Sequence, residues 1–505
     1  MLLLAAITVA HAMNEITPHT AFEDLVTVSE GTIPTRHLGA ALGSSGSPSQ
    51  NGEREMRAND FLQELASVRR PVVLTGLGIN GKNYDLERLE SWTMDNVRWS
   101  KGGEKTVFAI RTPKSGEEGR DGVLRTEGWH DVSPTTRVLT PEADGSNMLH
   151  GVEMKRFVES DGGGEGGLMY WTADLWSTSG DLVRRVESWW RDFIVRDDIG
   201  MDDVPEEVHV PMVWLSHRGV TAQTHYDKSH NYFVQLYGEK KIKLFAPSYG
   251  RFMYSYPSLH AGRKQSMIGM RDYLDLAKFP NSTDLVAYEV TLKAGEALYI
   301  PPYWWHYIST GEDSAAMSVS VVSPSWEEAW LAKAMHHPMP LGMLQDSKVG
   351  RKLGIQAVLV QVISRLESLG SPEIFSNWVY NDRWANLYPD LAPKLGGECF
   401  VGAEASEAAA IMKKTEENED LMRGLIDAAK EVAGIVGDDM VLQGIRTTFM
   451  ADYIESLAAW AVGGDGEEVG RFIVDCLRVE NAEVEYNGKP VMVEGDVLGG
   501  GGGEL

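Results

Sequence analysis

In the stretch THYDKSHN, residues 224–231, His225 and Asp227 stand two apart, and an aromatic, β-prone run, NYFVQLYGEKKIKLF, follows. Successive side chains of an extended strand point to opposite faces, so positions i and i+2 project together and this pair can chelate one ion. A lone His-x-Asp is weak evidence, since composition alone supplies about one in a chain of this size. Further along, GEALYIPPYWWHYI brings His306 after a Gly-Glu turn, a β run, two prolines and three aromatics. Two histidines and one carboxylate leave three positions of an octahedral ion open on one face. That suits iron(II), which can then hold oxygen and a chelating cosubstrate side by side. Zinc is the alternative for the same ligands.

Such residues need a sheet that brings distant strands together. From 205 to 324 the chain is a series of β-like runs separated by turn signals: HVPMVWLSHRG, THYDKSHNYFVQLYG, KKIKLFAPS, LVAYEVTLKAG, ALYIPP, WWHYIST and AAMSVSVVS. Short strands at this spacing predict a sandwich or barrel, whose interior is where the two halves of the motif would meet. Ahead of it, FLQELASV has a helical period, RRPVVLTGL reads as a strand, LERLESW as helix-like, and DGGGEGG (161–167) as a turn or loop before LMYW. After Trp326 the pattern turns helical: EEAWLAKAM, then GRKLGIQAVLVQVISRLES with Leu353, Val358, Val362 and Leu366 near helical spacing, then two more helical stretches between 404 and 480. The chain thus reads as α+β. Residues 1–57 form a leading segment closed by the linker-like GSSGSPSQNGERE, 58–326 a domain that holds the motif, with its core at about 205–324, 327–480 a helical region, and 481–505 a flexible tail. No repeat of about 20–50 residues is apparent.

At 505 residues the chain can bury a substantial core. Its 73 acidic and 47 basic residues leave a net charge of -26, which repels a phosphate backbone; general nucleic-acid binding is not expected, and a basic partner or neutral small molecule suits it better. Two cysteines, Cys399 and Cys476, allow at most one bridge and no cysteine metal cluster. No run approaches the roughly eighteen apolar residues that span a bilayer. The N-terminal MLLLAAITVAHA ends in the small-x-small form of a signal-peptidase site but lacks basic residues before its apolar part. With the sequon Asn281-Ser282-Thr283 and a terminal Gly-Glu-Leu it points to the secretory pathway if cleaved; otherwise the chain is cytoplasmic or nuclear.

On HYDKSHNYFVQLYGEKKIKLFAPS and GEALYIPPYWWHYIS the chain resembles the JmjC-domain oxygenases of the cupin superfamily, over roughly residues 60 to 326. These motifs are similar to those of the small hydroxylase-type members, including the asparaginyl hydroxylase that acts on hypoxia-inducible factor. The resemblance implies a double-stranded β-helix (jelly-roll, cupin) barrel with flanking helices, and iron(II) held by His225, Asp227 and His306. It implies 2-oxoglutarate as cosubstrate, with Lys240 pairing its distal carboxylate and Asn231 and Tyr170, from GGGEGGLMYWTADL, assisting. The implied reaction consumes 2-oxoglutarate and O2 and yields succinate, carbon dioxide and a hydroxylated protein or peptide. On an N-methyl carbon, hydroxylation becomes demethylation, and some family members hydroxylate a modified tRNA base.

Elementary chemistry supports the lysine. A dicarboxylate held by its keto-acid end leaves the other carboxylate in a desolvated barrel, where an unpaired charge is costly. Strand parity puts Lys240 on one face with Ile242 and Leu244, and Lys241 and Lys243 on the other. Against this stand the bland readings: a lysine in KKIK as a solvated charge, Asn231 as a turn residue, Tyr170 as an amphipathic core residue. His230 is off the ligand spacing, His336 and His337 end a helix, and Trp304 and Trp305 pack the barrel. Two departures from the family pattern occur. Ala222, flanked by Thr221 and Thr224, stands where Thr or Ser is usual three residues before the first ligand histidine, and the closing strand MSVSVV offers Val322 or Ser320 in place of asparagine. Other classes remain open: a non-catalytic cupin module binding a ligand or partner, and a cupin metalloenzyme without 2-oxoglutarate, which would need neither Lys240 nor Asn231. The helices after 326 could form a homodimer interface or cap the substrate groove.

Overall fold

The computed structural model describes residues 58–79, 168–197, 211–391 and 395–477 with short breaks, together with short strand segments between 27 and 150 and between 485 and 490. LERLESW, DGGGEGG, the N-terminal apolar run and the C-terminal glycine run lie outside the described residues.

The first strands are short: β1 (Thr27–Val28), β2 (Thr35–His37), β3 (Val72–Thr75), β4 (Phe108–Thr112), β5 (Val123–Leu124), β6 (Met148–His150) and β7 (Leu168–Asp174). Eight further strands follow: β8 (Met212–Ser216), β9 (Thr221–Tyr226), β10 (His230–Tyr237), β11 (Glu239–Phe245), β12 (Val286–Lys293), β13 (Ala297–Ile300), β14 (Trp305–Thr310) and β15 (Ala316–Ser323). They divide between two sheets, β8, β10, β13 and β15 in one and β9, β11, β12 and β14 in the other. One has the order β2-β3-β13-β10-β15-β8-β7-β4-β6, the other β1-β12-β11-β14-β9-β5. The central quartets β13-β10-β15-β8 and β12-β11-β14-β9 are antiparallel and face each other as a double-stranded β-helix, the barrel the sequence predicts.

Between the sheets lies an apolar interior containing Phe233, Ile242, Leu244, Leu298, Ile300 and Ile308. Strand alternation sends the neighbouring residues outward. The outer face of the larger sheet, with Tyr232, Val234, Tyr299, Val319 and Val321, is covered by α1 (Ala58–Ser67) and α2 (Gly180–Glu187). The outer face of the smaller sheet, with Tyr226, Trp305 and Tyr307, merges into one core with the helical region. Trp304 and Trp305 are both buried packing residues, as expected.

The helical region contains α3 (Trp326–Met335), α4 (Lys348–Arg365), α5 (Pro372–Val379), α6 (Ala403–Glu416), α7 (Glu419–Val436), α8 (Gln443–Val462) and α9 (Gly466–Arg471). Where the sequence reading expects two helical stretches between 404 and 480, four helices form. Asn418, which caps α7 by accepting from Leu421 N, and Asp465, which caps α9 by accepting from Glu468 N, divide what periodicity alone runs together. α5 went unread in the sequence because it is short; Ser371 caps it and Pro372 occupies its first turn. His336 is the C-terminal cap of α3, in line with the bland reading. Cys399 and Cys476 form the one bridge their number permits, tying the segment before α6 to the end of the described helices.

Candidate metal and cosubstrate site

β9 and β14 are paired so that His225 lies opposite His306, and the register then slips by one residue before Ile308 meets Ala222. This bulge, next to the candidate site, re-aims the residues it contains. It turns the Gln223 carbonyl onto the ring of His225, whose Nδ1 lies 2.7 Å from it. His306 makes the matching contact, Nδ1 to the Trp304 carbonyl at 3.0 Å. A carbonyl only accepts, so each Nδ1 carries the proton and each Nε2 is left as a lone-pair donor, the tautomer a metal ligand requires.

The two rings sit 4.1 Å apart between centroids, and His306 Nε2 is 3.8 Å from Asp227 Oδ2. One donor atom from each of His225, Asp227 and His306 lies within 4.8 Å of the others. Asp227 follows the end of β9 and keeps 38% of its side chain exposed, while His306 is buried. Burial first, then neighbouring His225, pushes the His306 imidazole down to about 4, so it is neutral at ordinary pH. Burial alone would raise the Asp227 carboxyl, but His225, His306 and Lys264, with a hydrogen bond from the Asn231 amide, hold it below the usual carboxylate range. Two imidazoles with Nδ1 turned to backbone carbonyls, together with a carboxylate, form the donor set that fits iron(II) or zinc.

Lys240 sits on the same inner face, toward the other end of the barrel. On β11, Leu244 is opposite His306, Ile242 opposite Ile308 and Lys240 opposite Thr310. Four residues of strand separate the two ends by about 13 Å. Gly238 makes the turn that starts β11. Its φ is +65° and a Cβ there would collide with the Ala315 carbonyl, so glycine is required. As parity predicts, Lys240 is 1% exposed while Lys241 faces solvent. Its ammonium lies 5.0 Å over the Phe233 ring, and burial pulls it down to about 7. Thr310 shares a 2.6 Å hydroxyl contact with Ser216, and Tyr170 of β7 is paired in register with Ser216. The backbone therefore brings Tyr170 to the Lys240 end; its side chain lies outside the described residues.

Asn231 opens β10 opposite Val322 and Ile300. The sequence reading places it on the cosubstrate, and here its amide also helps to lower the Asp227 carboxyl. Its side-chain oxygen is buried and has no protein hydrogen-bond partner among the described residues. Such an orphaned polar atom fits a site built to receive a polar group. The bulge explains one sequence departure. It turns Ala222, three residues before His225, onto the apolar interior, so that position supplies a methyl where the family pattern has a hydroxyl. On the closing strand Val322 faces Asn231 and Ser320 faces Phe233. His230 belongs elsewhere: Nδ1 contacts Tyr299 Oη at 2.8 Å and Nε2 contacts Asp197 at 3.0 Å.

Sequence reasoning missed Lys264. The chain from Tyr254 to Met267 folds back along β9 on the side away from β14, beyond the Thr221–Ala222 end that pairs with β5. The Lys264 carbonyl accepts from Tyr226 N at 3.1 Å and Gln265 bridges His225, with Lys264 at φ +68°. A left-handed lysine leaves no mark in HAGRKQ that sequence could reveal. Among the described residues no helix is long and apolar enough to cross a membrane.

Residues 58–323 match the cupin-like domain family. The chain is 36% identical over 97 residues to JmjC domain-containing protein D of Dictyostelium discoideum, covering 19% of this chain and 21% of that one. It is 32% identical over 131 residues to lysine-specific demethylase JMJ30 of Arabidopsis thaliana, covering 25% and 29%. It is 30% identical over 275 residues to tRNA wybutosine-synthesizing protein 5 of Gallus gallus, covering 54% and 76%. The aligned stretch thus spans less than a third of the first two proteins.

Proposed function

Because the chain belongs to the cupin-like domain family, we propose that it is an iron(II)- and 2-oxoglutarate-dependent dioxygenase that hydroxylates an uncharged side chain of a protein or peptide. The overall balance is substrate C–H, O2 and 2-oxoglutarate to substrate C–OH, succinate and carbon dioxide. The observation that carries the reading is the pairing, on one inner face, of a His225–Asp227–His306 donor set with a buried cation at the far end. Iron(II) held there would supply oxygen activation, with 2-oxoglutarate as the source of two electrons.

The protein's own groups do the rest. The Gln223 and Trp304 carbonyls hold both imidazoles in the donor tautomer. Lys240 would bind the distal carboxylate of 2-oxoglutarate, which in turn would restore the ammonium that burial disfavours. Tyr170, brought to that end by β7, is the second candidate for this carboxylate. Asn231, fixing Asp227 through its amide, has a side-chain oxygen left for the cosubstrate end at the metal. The apolar interior around Ile242, Leu244 and Ile308 excludes water from the space between.

Charge argues for hydroxylation over the demethylase and tRNA alternatives that the relatives' names raise. The net charge of -26 disfavours a polyanion and favours a partner basic overall. Lys264, near enough to Asp227 to lower its carboxyl, disfavours a methylammonium at the reacting position. The Cys399–Cys476 bridge supports the secretory alternative, because such bridges persist in oxidising compartments.

The test is succinate formation by full-length protein loaded with iron(II) without oxygen and then aerated, for wild type, His225→Ala and Lys240→Ala. Basic peptides should then gain one oxygen without releasing formaldehyde. Formaldehyde from methylated peptides would replace hydroxylation with demethylation. Failure of wild type to bind either iron(II) or 2-oxoglutarate would leave a non-catalytic module.

A further inference from the structure

Tyr226, the last residue of β9, separates His225 from Asp227 just beyond the strand's end, and strand alternation sends its ring to the opposite face, toward the helical region. There it stacks on Tyr303 (5.6 Å, 15°) and meets the edge of Trp305 (4.8 Å, 62°). Near these aromatics lies a cluster of charges that the proposed chemistry leaves unused. Arg383, in the turn Tyr380–Trp384 that extends α5, and Asp452 and Glu455 of α8 are all buried.

The cluster is fully engaged. Arg383 Nη2 donates to Asp452 Oδ1 at 2.8 Å, to Glu455 Oε2 at 3.2 Å and to the Tyr256 carbonyl at 3.2 Å. Arg383 Nε is 3.0 Å from Glu455 Oε1, an ion-pair distance without hydrogen-bond alignment. Glu455 also accepts from Trp384 Nε1 at 3.0 Å and from Ser258 N at 2.5 Å. The second oxygen of Asp452 reaches out of the helical region to Lys228 Nζ, at 3.8 Å. Lys228 directly follows Asp227. Two cations thus face two carboxylates, and the last link of the chain of pairs is the loop that carries the carboxylate ligand.

That loop is gripped at every residue. The Asp227 carbonyl accepts from Tyr303 N at 2.7 Å, with Tyr303 at φ +62°; the Lys228 carbonyl accepts from Ser325 Oγ at 2.6 Å; Ser229 Oγ donates to Glu328 at 3.1 Å. Ser325 and Glu328 are the cap and first turn of α3, the first helix after the barrel. Burying charges as pairs is weak evidence of stabilisation, since apolar packing can match it; positional specificity is a better-attested return.

We infer that the helical region positions the carboxylate ligand, with the Arg383–Asp452–Glu455 cluster fixing the Asp227 loop through Lys228. Asp452 and Lys228 are positioning residues: neither touches the donor set, and both act through the place they give Asp227. The inference rests on the metal-site reading above.

Iron(II) alone, titrated without oxygen into full-length protein by calorimetry, tests it, with the visible absorption on adding 2-oxoglutarate as a second readout. Asp452→Asn and Lys228→Met should each weaken iron(II) about tenfold, the scale of losing an outer partner of a metal ligand, and alter the absorption. The double variant should be no worse than Asp452→Asn. Val432→Ala, a cavity in the buried face of α7, should lower Tm and leave iron(II) binding as in wild type. Unchanged affinity and absorption in both positioning variants would overturn the inference. Should Asp452→Asn fail to fold, Lys228→Met decides, since Lys228 is partly exposed and its removal leaves the Arg383 pairs in place. Wild-type protein that fails to bind iron(II) removes the site reading and this inference together. Binding in wild type with no change in the variants removes this inference alone.

Discussion

The barrel and the helical region each bury charged groups, and they treat them in opposite ways. In the helical cluster every charge is spent inside the protein: Arg383 faces Asp452 and Glu455, and Glu455 takes two further donors. In the barrel the donors converge: both Nε2 atoms of the histidines point away from their backbone partners and the Asn231 oxygen is without a protein partner among the described residues, while Lys240 is buried with its pKa pulled down. Saturation marks a structural role. Available donors, together with a cost the fold carries, mark a place that waits for a ligand.

The sharpest way to break this contrast is to remove a donor from each cluster. Asp227→Ala or His306→Ala should weaken iron(II) by more than about 100-fold, beyond what the loss of an outer partner does, with little change in Tm, as read by anaerobic calorimetry and thermal unfolding. Lys240→Met should come next. The loss of one member of a buried ion pair, about 3 kcal/mol or more, would weaken 2-oxoglutarate about 100-fold by calorimetry while iron(II) still binds.

The same variant exposes the cost through pH. With the folded-state pKa near 7 and the unfolded one at the ordinary lysine value of 10.5, the unfolded chain binds more protons across that window, so stability without cosubstrate rises with pH there. Below about pH 7 the whole penalty is present. Denaturant titrations from pH 7 to 10 should show this rise in wild type and not in Lys240→Met.

The helical cluster should answer differently. Arg383→Met strands Asp452 and Glu455 in the interior and should cost about 3–5 kcal/mol of stability by chemical denaturation, with 2-oxoglutarate affinity changed far less than by Lys240→Met. The smallest effect is that of Cys399→Ser. Losing a bridge across a sequence separation of 77 should cost about 2–4 kcal/mol and leave iron(II) affinity untouched. A loss of iron(II) affinity here would show the helical region acting as one unit on the metal loop, and the two regions would no longer be separable.

Much of the barrel was legible because its signals are local. Alternation and turn residues mark seven runs where the eight strands β8–β15 form, THYDKSHNYFVQLYG holding both β9 and β10; the parity of KKIK assigns Lys240 inward, and the His-x-Asp spacing is a property of three consecutive residues. The helical region was less legible. Continuous helical periodicity hid the interruptions at Asn418 and Asp465, which depend on single capping side chains. Asn231 shows a finer limit: sequence marks it as a polar residue near the site, but only the register of β10 and the loop before it decides that its amide meets Asp227.

By itself, then, the sequence determined the strand grammar, the donor types and the side of the sheet on which Lys240 lies, because these follow from residue chemistry and a repeat of two. Tertiary structure alone decided that β14 brings His306 against His225, that a one-residue bulge turns Ala222 inward, that Lys264 comes near enough to Asp227 to lower its carboxyl, and that Asp452 reaches Lys228. Each of these is a meeting of residues distant along the chain or a slip in register, set by how whole sheets and helices pack, and no local pattern encodes it.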